Sequence, residues 1–253
     1  MLFIFRKIRK SFFLPGKVRT YLAYAAGEIV LIMAGILLAL QVSEWNQARN
    51  TQKKEVEILK SIKAELNSNL EDMNTTVIPI HVRAVESAGI IIEHFDKDLP
   101  YNDGLQTHFF NCSFGSVFRY TASAFETLKA LGVDLISNEE LRNDIIYMYD
   151  AEFTYLVRVQ TIFEEFLIFR TNQIYPDRFD QALNFTSMID GESTGIMAPL
   201  DYDALKNDTA FTYDIRTVRN QHQFYLDRLC YRIRGIMEDR IADIEQEIQR
   251  LEE

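Results

Sequence analysis

The sequence predicts an all-α protein: a single N-terminal transmembrane helix that continues into an extracytoplasmic helical bundle with long amphipathic helices. Three observations predict it. The run Tyr21–Val42 (YLAYAAGEIVLIMAGILLALQV) is apolar apart from Glu28, and about twenty such residues at 1.5 Å rise match a hydrocarbon core of roughly 30 Å. Beyond it, Val56, Leu59, Ile62, Leu66, Leu70 and Met73 recur every three to four residues between charged side chains. Near the C-terminus, Ile215, Val218, Tyr225, Leu229, Ile233, Ile236, Ile244, Ile248 and Leu251 hold a near-heptad stripe.

Residues 1–20 carry Arg6, Lys7, Arg9, Lys10, Lys17 and Arg19 and no acid, which assigns this flank to the cytoplasm and the bulk of the chain to the other side. Phe5, Ile8 and Phe12 at helical spacing suit an in-plane amphipathic segment, turned into the bilayer at Pro15-Gly16. Tyr21 and Trp45 sit at opposite ends of the 21–45 span, as interfacial aromatics do. A signal peptide is the competing reading, but this run is longer than an h-region and exits through Gln41, Ser43, Glu44 and Trp45. The formal net charge of −10, more acidic still once the basic flank is set aside, excludes nucleic acid as a partner.

Projected at 100° per residue, Gly35 and Ala39 fall about 20° to either side of Glu28, and Ile32 about 40° away. Ala23-x-x-x-Gly27 and Gly35-x-x-x-Ala39 are spacings that let helices approach closely. A carboxylate on such a stripe costs roughly 2.5–3.5 kcal/mol at mid-membrane unless other protein receives it. The stripe Ala23, Gly27, Glu28, Ile32, Gly35 and Ala39 is therefore the expected interface of a homo-oligomer. Glu28 either pins its register or, in the alternative, serves an oligomeric ion or proton pathway.

Residues 46–253 form the expected extracytoplasmic domain. Asn74-Thr75-Thr76 and Pro79 interrupt the first helix, and a second runs from near Pro79 to Phe95, ending in a turn over 96–103. A short helix covers 105–112, and another 121–131 closes on Gly132 in the left-handed cap conformation. Ser137 and Glu140 read as a capping box opening a long helix that Pro176 stops. The polar stretch 177–208, with Gly191, Gly195 and Pro199, reads as loops with at most short helices, before a long helix over about 211–252. That helix is expected to pack against the first, bringing Leu59 near Ile244.

No catalytic constellation emerges. His81, His94, His108 and His222 are scattered without metal-ligand spacing and read as partly exposed helix residues, so neither metal nor cofactor is expected. An enzyme assembled from Arg119, Tyr120, Tyr147 and Asp150 is a further alternative. Cys112 and Cys230 both fall on the side where disulfides persist, so they read either as a bridge or as two buried thiols.

The string Tyr21-Leu22-Ala23-Tyr24-Ala25-Ala26-Gly27-Glu28-Ile29, with Gly35 to Gln41 and Trp45-Asn46 after it and Phe5-Arg6-Lys7-Ile8-Arg9 before it, resembles the N-terminal signature of a domain-of-unknown-function family of bacterial envelope proteins. Ala124-Phe125-Glu126-Thr127-Leu128, Gly132, and Ile136-Ser137-Asn138 through Tyr149 are similar to its central block. The resemblance implies a Gram-negative inner membrane protein with one N-terminal span, a helical periplasmic domain and no assigned activity. The expected function is that of a self-associating scaffold, sensor or accessory subunit, partnered by the bilayer, by its own copies and by another envelope protein.

Overall fold

The structure, a computed structural model, describes residues 17–189 and 192–253. It is almost entirely helical, and two compact units divide between Lys54 and Glu55. Helix α1 (Lys17–Asp72) runs without interruption through both apolar and amphipathic stretches. It contains the one helix segment, among the described residues, that is long and apolar enough to cross a membrane, with a mean hydropathy of 2.1 and none of that window buried.

Asn74-Thr75-Thr76 does not break the chain as expected. The backbone passes through a π-helical turn (Met73–Val77) straight into α2 (Ile78–Asp96), with Pro79 directly after that turn. Then come α3 (Leu105–Asn111), α4 (Ser123–Leu131) and α5 (Glu139–Tyr147). A π turn (Met148–Phe153) leads into α6 (Thr154–Phe169), and another (Arg170–Ile174) leads out of it. The C-terminal part is α7 (Tyr202–Asn207), α8 (Thr209–Tyr225), a π turn (Leu226–Cys230) and α9 (Tyr231–Glu252).

Three expectations are corrected. Residues 177–208 contain an antiparallel hairpin, β1 (Asn184–Ile189) with β2 (Glu192–Ile196), bulged between Phe185 and Ser187. A Cβ on Gly195 would meet the Phe110 ring at 2.2 Å, so only glycine lets the hairpin lie against α3. Gly132 has φ +100° but ψ 123°, so it leaves α4 by an extended turn instead of a left-handed cap. The cap of α5 is Asn138, whose side chain accepts the Leu141 N–H at 3.2 Å. Ser137 is withdrawn from capping because its N–H and hydroxyl both donate to Glu55 Oε1, at 2.6 and 2.8 Å.

Helix α1 supplies similar partners elsewhere. Glu65 accepts the Ala124 N–H at the start of α4 (2.9 Å) and the Tyr149 hydroxyl (2.8 Å), and Asn69 bonds both backbone groups of Thr121. Each satisfies a donor or acceptor that a helix end or loop leaves open. Lys60 reaches Glu252 at 2.6 Å, Lys63 pairs with Glu245, and Leu59 and Ile244 share one apolar cluster. That cluster joins the outer part of α1 to α4, α5, α6 and α9. A second one joins α2, α3, α7 and α8.

Candidate functional site

Between the two apolar clusters lies a polar seam, set by α8. Asp214, Val218, His222 and Tyr225 recur every three to four residues and all are buried, so one face of the helix carries an acid, an imidazole and a phenol into the interior. Opposite, His81 on α2 extends the stripe of Val77, Ala84 and Ala88. His81 and His222 are both 0% exposed, against the expectation of partly exposed residues, and their Nδ1 atoms lie 3.0 Å apart. Their place on those stripes was the signal in the sequence.

The tautomers follow from the contacts. His81 Nε2 is 2.7 Å from the Ser116 carbonyl, which only accepts, so His81 carries its proton on Nε2 and its Nδ1 accepts from His222 Nδ1–H. His222 Nε2 is then a bare lone pair, buried without a hydrogen-bond partner among the described residues. Burial lowers the His81 pKa to about 4, partly opposed by the Ser116 bond. Burial, then the charges of His81 and Arg170, push His222 well below the ordinary range. Both rings are neutral at pH 7. Tyr225 stacks on His81 at 4.2 Å and donates to Gln160 Oε1 at 2.8 Å.

The seam continues to Arg170, 1% exposed, in the π turn after α6. Its Nε and Nη2 bond the Asp214 carboxylate at 3.0–3.1 Å, and Nη1 donates to the Cys112 carbonyl. The bidentate fork satisfies a charge that would be prohibitive alone in this interior.

Beside the His pair a cavity of about 770 Å³ opens to solvent. Residues 113–117 form one wall, and Gly115 lies so close that a Cβ there would stand 2.6 Å from the Phe163 ring and 3.4 Å from His81. Thr76 of one π turn and Thr171 and Asn172 of another line it as well. Such turns expose backbone groups out of the α-helical pattern and are frequent at functional sites.

The residues singled out from the sequence fall as follows. Glu28, Ile32, Gly35 and Ala39 lie on the exposed surface of α1, and nothing within 4 Å would meet a Cβ at Gly27 or Gly35. Tyr24, Gly27, Glu28, Leu31 and Ile32 border a shallow hollow. Trp45 is exposed, with the Arg49 guanidinium 5.8 Å from its ring centre. Arg6, Lys7, Arg9 and Lys10, and the side chains of Tyr21 and Ala23, lie outside the described residues.

Cys112 and Cys230 form no bridge. Both thiols are free and buried, in different apolar clusters, and burial pushes each up to about 12. Of the four residues considered for an enzyme, Arg119 lines the cavity, Tyr147 is exposed, and Tyr120 packs on Phe153 with the Asp150 charge nearby. Among the described residues no group of three or more His, Cys, Asp or Glu side chains is arranged to hold a metal ion. No family model, no curated protein and no solved structure matches the chain.

Proposed function

We propose that this chain is a non-enzymatic single-pass protein of the bacterial inner membrane, its N-terminus cytoplasmic and its helical domain periplasmic, acting as a self-associating scaffold, sensor or accessory subunit. One observation carries the reading. The apolar stretch of α1 is wholly uncovered, and the only acid within it, Glu28, lies on the same face as Gly35 and Ala39. In lipid that carboxylate requires protein around it, and small residues on its stripe allow a second helix to approach. The resemblance of the span to the envelope-protein signature points the same way.

The mass of the full-length protein in a mild detergent tests this. A defined multimer is the expected result, and a monomer overturns the proposal. Glu28→Gln separates register from transport: as a register device it changes the multimer's stability, whereas in an ion or proton pathway it abolishes conductance across a reconstituted bilayer.

A further inference from the structure

Three charged residues border the 770 Å³ cavity, the half-buried Asp72 and the exposed Glu164 and Arg119, and none forms an ion pair with another described residue. Carboxylates and a guanidinium thus border one space without neutralising each other. Phe114, Phe163 and Leu167 give the same space an apolar surface. Its volume is that of a small-molecule site, within the roughly 300–1,000 Å³ such clefts occupy, and such sites combine an apolar lining with a few polar groups that fix orientation. Two π turns frame it, and its 113–117 wall is held down by the His81–Ser116 bond and by the contact of Gly115 with Phe163. The wall is built, not loosely draped.

We propose that this cavity binds a short zwitterion with an apolar body, in the class of apolar amino acids and dipeptides. The ligand's ammonium faces Asp72 and Glu164, its carboxylate faces Arg119, and its side chains lie on Phe114, Phe163 and Leu167. A purely apolar ligand would gain nothing from the three charges at the rim, and a singly charged one would use only one sign. The inference is independent of self-association, so its test stands whatever the mass measurement gives.

The test is calorimetric titration of the full-length protein in detergent with leucyl-phenylalanine, its N-acetyl derivative, its C-terminal amide, and free phenylalanine. Saturable binding of the dipeptide or of phenylalanine is expected, with each blocked derivative of the dipeptide about two- to fivefold weaker, the scale of one lost solvent-screened charge pair. Arg119→Gln is expected to erase the preference for a free carboxylate, and Asp72→Asn with Glu164→Gln the preference for a free ammonium. Thr171→Trp, whose larger side chain takes up part of the cavity, is expected to weaken binding and controls for uptake into the micelle. Unchanged helical circular dichroism confirms that each variant folds. The proposal is overturned if neither zwitterion binds saturably at millimolar concentration, if the blocked derivatives bind as well as the parent, or if the tryptophan leaves binding unchanged.

Discussion

The apolar stretch of α1 and the polar seam of the helical body handle the same problem in opposite ways. Along the apolar stretch of α1 a single acid, Glu28, sits on the outside of the helix, with no described side chain of its own unit covering it. In the body, an acid, a guanidinium and two imidazoles sit inside an apolar interior and are bonded to one another or to backbone. The seam draws its partners from within the chain, and on the proposed reading the apolar stretch of α1 draws them from another molecule. A polar group in a low-dielectric setting is stable only when paired, so where the partner comes from separates a self-sufficient region from an interacting one.

Removing one member of the Arg170–Asp214 pair breaks this comparison most severely. Asp214→Ala strands a buried guanidinium and is expected to cost about 3–5 kcal/mol, read as a lowered urea midpoint of the full-length protein in detergent. Replacing both members by apolar residues of similar volume, Arg170→Met with Asp214→Leu, recovers most of it. If Asp214→Ala unfolds like the parent, the seam does not hold the body together.

The His81–His222 pair gives a smaller effect that depends on pH. With a folded pKa near 4 against an ordinary value of 6.5, His81 binds fewer protons folded than unfolded between those values. Its contribution is therefore full above pH 6.5, is lost as pH falls toward 4, and amounts to on the order of 3 kcal/mol. His222, shifted the same way, steepens the loss. Protonating His81 at Nδ1 also places two N–H groups against each other where one bond stood. His81→Phe should flatten the pH dependence of the urea midpoint between pH 7 and 4, and a slope unchanged from the parent would refute the assignment. The smallest effect is expected at Glu28. Glu28→Gln should move the unfolding midpoint of the body by less than about 0.5 kcal/mol, because Glu28 is an exposed residue that belongs to the other compact unit.

Much of the helical framework is legible in local spacing, and the failures are instructive. The Asp190-Gly191 dipeptide between Met188-Ile189 and Ser193-Thr194 is a hairpin signal that the polarity of the surrounding stretch obscures. Ser137 and Glu140 satisfy the capping-box pattern, yet Glu55, far away in the chain, takes the serine and moves the cap to Asn138. The burial of His81 and His222 is legible in their place on apolar stripes, but their meeting across two helices is not a local feature of the chain.

By itself the sequence determined the lipid-length apolar run with its lone acid, the succession of helices and most of their ends, since these rest on periodicity, proline and hydropathy within a few turns of chain. Only the tertiary structure decided the histidine pair, the Arg170–Asp214 fork, the separate burial of the two thiols and the cavity beside them. Each depends on which helix faces come together, and burial, by removing water as an alternative partner, makes that choice energetically decisive.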